Sequence, residues 1–130
     1  MTDVNHALVL FAHGARDPQW AEPFRIIRDR IAGAHPGVAV VLAFLEIMDP
    51  SLGKAVDSLA ESGVTRITLT PLFMAQGGHL KEDLPKIIAT IQNKHPGLTF
   101  NITPPIGEVD TILDAIANWV NQVFVANDAR

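Results

Sequence analysis

Four short apolar runs alternate with four amphipathic stretches along the chain. The first run, residues 7–12, is followed by a glycine-containing loop and then by Trp20, Phe24, Ile27 and Ile31 at helical spacing. Asp17-Pro18 marks the start of that helix, because Asp accepts from free amide groups and Pro tolerates the first helical position. Residues 38–45 form the second run, ahead of a helix signalled by Asp49-Pro50, with Leu52, Val56 and Leu59 inward and Gly63 as its terminator. The third run, 65–73, leads through Gly77-Gly78-His79 into a helix carrying Leu80, Leu84, Ile87, Ile88 and Ile91, with Pro85 near its first turn. The fourth, 98–102, ends at Pro104-Pro105, and the last helix is built on Val109, Ile112, Leu113, Ile116, Val120 and Val123.

Near-continuous apolar strands separated by helices predict an α/β fold with a parallel sheet covered on both faces. Right-handed crossovers make a doubly wound, flavodoxin-like, four-stranded sheet the expected arrangement. Ligands of such sheets bind at the carboxyl ends of the strands, which singles out the loops at 13–17, 46–49, 74–79 and 104–108. With 130 residues the chain is read as one domain. The two parts, about 6–63 and 65–126, echo one another: Ala34-His35-Pro36-Gly37 recurs as Lys94-His95-Pro96-Gly97, and His13-Gly14 is loosely matched by Gly78-His79. An internal repeat would bring one histidine from each half to the same edge of the sheet.

Composition narrows the partners. Apolar residues make up 48% and charged residues 18%, a globular balance. A net charge of −4 argues against nucleic acid, whose phosphates require clustered Lys and Arg. The absence of cysteine excludes disulfides, thiolate catalysis and Cys-ligated metals. The apolar run at 7–12 is too brief for a membrane span or a signal peptide's core, so the expectation is a cytoplasmic protein.

The five histidines differ in place. His6 opens a strand, and His35 and His95 sit in His-Pro-Gly turns at the opposite edge, where turn roles suffice. His13 and His79 each follow a strand at the functional edge, and Glu46 closes the second strand beside them. Neutral imidazole both ligates divalent metals and titrates near neutrality, and two His with one Glu make an open metal site. Satisfied loop histidines and an exposed Glu fit the spacing as well, since no compact HxH or HExxH pattern is present. Anion affinity has weaker support: Gly14 permits close backbone approach, Arg16 offers a fork suited to carboxylates, and Gly77, Gly78 and Lys81 could act likewise at the third loop. A tight turn with a solvated Arg reads equally well. Neither a phosphate-loop GxxxxGK[ST] nor a dinucleotide GxGxxG occurs. Met48 and Met74 flank the same loops, as core filler or as an apolar wall for a flat ring.

The stretch Leu8-Val9-Leu10-Phe11-Ala12-His13-Gly14-Ala15-Arg16-Asp17-Pro18 resembles the opening of the CbiX/SirB sirohydrochlorin chelatases. Ala43-Phe44-Leu45-Glu46 with Asp49-Pro50-Ser51-Leu52 is similar to their second-strand signature, and Pro71-Leu72-Phe73-Met74 with Gly77-Gly78-His79-Leu80-Lys81-Glu82-Asp83-Leu84-Pro85 to their third. The resemblance implies a chelatase-like fold and the small single-domain CbiX form, associated with homodimers. It places the metal-binding and catalytic histidines on His13 and His79 and the assisting glutamate on Glu46. The implied reaction inserts Co²⁺, the favoured ion, or Fe²⁺ into sirohydrochlorin with release of two protons, in cobalamin or siroheme biosynthesis. The divalent metal is then a substrate, and no organic cofactor is called for. Gly14, Arg16, Gly77, Gly78 and Lys81 would hold the carboxylates of the ring. The competing expectation is a non-catalytic carrier of metal or tetrapyrrole, and a weaker one is a phosphate-binding or signalling module.

Overall fold

In the computed structural model, which describes residues 5–75 and 77–128, β1 (His6–Ala12) lies inside the sheet. β2 (Val40–Phe44), β3 (Arg66–Pro71) and β4 (Thr99–Ile102) complete four strands in the order β2-β1-β3-β4. Every pairing is parallel: Leu10 sits opposite Leu42 on one side and Thr70 on the other, and Leu69 opposite Ile102. The expected flavodoxin-like arrangement is met; β1 starts one residue before its apolar run, and the other three strands are shorter than theirs.

Alternate residues of β1 serve two cores. Val9 and Phe11, fully buried, pack with Ile67 and Leu69 beneath α2 (Leu52–Glu61) and α3 (Gly78–Lys94). Leu10 and Ala12 pack with Leu42 and Phe44 beneath Trp20, Phe24 and Ile31 of the opposite face. Asp17 caps as anticipated, its carboxylate accepting from the Gln19 amide at 2.9 Å. The capped element is a 3-10 turn, Pro18–Ala21, from which α1 (Glu22–Ala34) continues. Phe24 and Ile31 pack against the sheet, leaving Ile27 exposed at the margin. The cap of α2 is Ser51, whose hydroxyl accepts from the Lys54 amide at 3.2 Å, just after the anticipated Asp49-Pro50 signal. Pro85 falls inside α3, past its first turn, because the helix already begins at Gly78.

The larger departure is α4 (Asp110–Asp128), in which no residue is buried. Leu113, Ile116, Val120 and Val123, expected to be core residues, are exposed. The doubly wound pattern would return this helix onto the α1 face over β3 and β4. Strand register puts Thr68 and Thr70 on that face, with Thr99 and Asn101 beside them. Those side chains are polar, Thr68 and Thr70 partly exposed and Thr99 and Asn101 exposed, so an apolar helix gains little by covering them. α4 packs instead on the short 3-10 turn that precedes it, Ile106–Glu108. Among the described residues no helix is long and apolar enough to cross a membrane.

Candidate functional site

The parallel ladder between β1 and β2 runs on past the strands. The Leu45 amide donates to the Ala12 carbonyl at 2.9 Å and the Glu46 amide to the His13 carbonyl at 3.1 Å, which sets these two loops side by side. As a result His13 Nε2 lies 3.1 Å from Glu46 Oε1 at the carboxyl edge of the sheet. Both side chains are about half exposed, at 52% and 56%, so the pair is open to solvent and to a ligand. If the Nε2–H donates to the carboxylate, the lone pair of neutral His13 is on Nδ1, and the carboxylate fixes the ring that carries it. Behind the imidazole stands Phe73, its ring edge-on to His13 with centroids 6.3 Å apart, itself buried edge-on against Phe11 at 5.6 Å.

Gly14 is required by this arrangement. Its φ of +100° is disfavoured for other residues, and a Cβ there would sit 1.9 Å from the Glu46 carbonyl oxygen. The glycine that the sequence offers as an anion contact therefore serves first to let the first loop touch the second. Gly107 does the same between the third and fourth loops: a Cβ would lie 1.5 Å from the Met74 carbonyl oxygen, and its amide donates to the Phe73 carbonyl at 3.0 Å.

Gly77 is the N-cap residue of α3 and Gly78 opens that helix, with open space where either Cβ would be. The free amides of this helix start thus lie at the third loop, as anticipated. Arg16 and Lys81 are exposed, and neither is bonded to an acidic side chain among the described residues. The backbone of His79 occupies the first turn of α3, while its side chain lies outside what the structure describes. Among the described residues no cluster of three or more His, Asp or Glu side chains forms, so His13 and Glu46 stand as a pair. Two apolar side chains, Ile47 and Met74, are exposed on the second and third loops, on either side of the strand that carries His13.

Sequence reasoning passed over Phe73, Ile47 and Gly107. The signal for Phe73 was an aromatic residue at the end of the third run, and for Gly107 a lone glycine after Pro104-Pro105. For Ile47 there was none. His6, His35 and His95 stay off this edge. His95 Nε2 contacts Asp57 Oδ1 at 2.6 Å, and Lys94 Nζ contacts the other carboxylate oxygen at 3.0 Å. These contacts hold the Asp57 carboxyl below its usual range, chiefly through the His95 hydrogen bond and then that of Lys94.

The family model CbiX matches residues 7–123. A sirohydrochlorin cobaltochelatase of Methanosarcina acetivorans is 35% identical over 126 residues, covering 90% of this chain and 95% of that one. One from Methanosarcina barkeri is 35% identical over 86 residues, 66% of each chain. Among solved structures, a CbiX protein described under cobalamin (vitamin B12) biosynthesis, from Marinobacter aquaeolei VT8, superposes with a TM-score of 0.82 at 31% identity, over 92% of this chain and 97% of that one. The sirohydrochlorin chelatase SirB from Bacillus subtilis subspecies spizizenii, in complex with cobalt, gives 0.72 at 23% identity over 95% of this chain but only 51% of that one.

Proposed function

The chain belongs to the CbiX family, and on that footing we propose that it is a sirohydrochlorin chelatase, inserting Co²⁺ or Fe²⁺ into the tetrapyrrole. The observation that carries the reading is the His13–Glu46 pair, 3.1 Å apart and open to solvent at the ligand-binding edge of the sheet. A divalent ion enters the ring as two pyrrole N–H protons leave, so the site must present the metal to one face and accept protons. Neutral imidazole and carboxylate do both. His13 presents the metal, Glu46 orients the imidazole and supplies negative charge, and His79 is the second ligand, from the first turn of α3. Arg16, Lys81 and the amides at Gly77 and Gly78 hold the ring's carboxylates. Cobalt is favoured because relatives of this length, at 35% identity, bear the name cobaltochelatase; imidazole and carboxylate alone do not choose between these ions.

The working unit is a homodimer in the cytoplasm. α4 supports the dimer: Leu113, Ile116, Val120 and Val123 follow the three-four spacing of a helix-packing seam and are left exposed by the described residues. The chain spans about half of the SirB chain it matches.

The test mixes purified protein, metal-free sirohydrochlorin and each metal in turn, and follows the absorbance change against a protein-free blank. Accelerated insertion, lost in His13→Ala and His79→Ala with the fold intact, is the expected result. Tight binding without acceleration would make the protein a carrier, and unchanged rates in His79→Ala would remove that residue from the mechanism.

A further inference from the structure

Ile47 has a φ of +69° and is the one non-glycine residue with positive φ among those described. The Met48 amide donates to the Glu46 carbonyl at 2.7 Å, closing the rare left-handed form of γ-turn around Ile47. A β-branched side chain is among the least tolerated in that region. Packing does not compensate, for Ile47 is 62% exposed. Gly or Asn would meet the backbone's demand with less strain, and neither would place an apolar group in water. Strain retained without burial at a functional edge points to a contact made only when the site is filled.

Glu46, the preceding residue, contacts His13, and Met74 stands exposed across β1 from the same site. We propose that Ile47 is a substrate-binding residue whose side chain bears on the apolar face of the macrocycle. The inference rests on the chelatase reading and adds to it a residue that selects for a flat, conjugated ring over a small polyanion. The turn holds the side chain out of the core, ready for that contact. The turn's strain is the stability cost of that readiness.

The experiment compares Ile47→Gly, Ile47→Asn and Ile47→Leu in the full chain. Each is titrated with metal-free sirohydrochlorin, followed by the ring's absorbance, then assayed for insertion and for thermal unfolding. Gly and Asn should weaken ring binding and raise KM about tenfold, the loss expected for one apolar contact. They should leave kcat at saturating ring within about twofold and hold or raise Tm by relieving strain. Leu should bind within about twofold of the parent, because its apolar surface is conserved. Ring affinity unchanged in both Gly and Asn would overturn the proposal. So would an altered sedimentation coefficient with ring affinity intact, which would make Ile47 a subunit contact instead. A parent protein that binds no ring would refute the chelatase reading itself, and that arm is read before any variant.

Discussion

Single residues at this edge act through backbone position as much as through side-chain chemistry. Gly14→Ala would drive a Cβ to 1.9 Å from the Glu46 carbonyl at a φ that resists side chains. The expected loss is roughly 2–3 kcal/mol of stability, measurable by urea unfolding, together with a displaced Glu46. An alanine variant as stable as the parent would show that the two loops can separate freely. Glu46→Gln can still accept from the imidazole but gives up the charge. If Glu46 acts as an orienting and charge-supplying partner, insertion should fall by about 10–100-fold, as for other groups that support a metal-binding histidine. Unfolding by heat should be little changed, since the pair is exposed and well screened. Retention of full activity would reduce Glu46 to a surface contact.

Elements join at the opposite edge by a different device. Asp57 of α2 holds His95 and Lys94 at the end of α3, and these contacts lower its carboxyl pKa. A carboxyl lowered on folding stabilises the native state above its unfolded pKa of about 3.9, and that contribution is lost as pH falls through the lower native value. The Tm difference between the parent and Asp57→Asn should therefore be fully present at neutral pH and shrink on acidification below about pH 4. A difference that persists unchanged into that acid range would mean the contact contributes by shape, not charge. α1 and α3 end in the two His-Pro-Gly segments with nearly the same cap geometry, φ −132° and ψ 68° at His35, φ −127° and ψ 72° at His95. The turn role assigned to both from sequence is met, and the Asp57 contact of His95 adds to it. That contact joins residues far apart in the chain, so local pattern could not disclose it.

At the scale of the molecule, the proposed dimer rests on α4. A seam of Leu113, Ile116, Val120 and Val123 exposed to water would be a liability for a lone chain. If a second copy covers it, Ile116→Lys with Val120→Asp should convert a dimer to a monomer in sedimentation velocity at micromolar concentration. The fold of each chain should be left intact, because neither side chain is buried within it. A parent that sediments as a monomer throughout that range would defeat the dimer reading.

The periodicity of apolar residues was enough to determine the strands, the helices between them and the parallel, doubly wound sheet, because burial on both faces leaves a near-continuous apolar record in the inner part of the sheet, β1 and β2 above all. The rule that ligands meet strand ends then placed His13 and Glu46 at one edge before any geometry was known. Other features depended on groups distant in sequence. The approach of Gly14 to Glu46 and the ring of Phe73 behind His13 arise from strand register. The left-handed turn at Ile47 runs against that residue's own preference, and only the surrounding fold imposes it. The course of α4 was partly written in the polar side of β3 and β4, where Thr68, Thr70 and Asn101 alternate with apolar neighbours. Its meaning emerged once register put those polar groups together on one uncovered face.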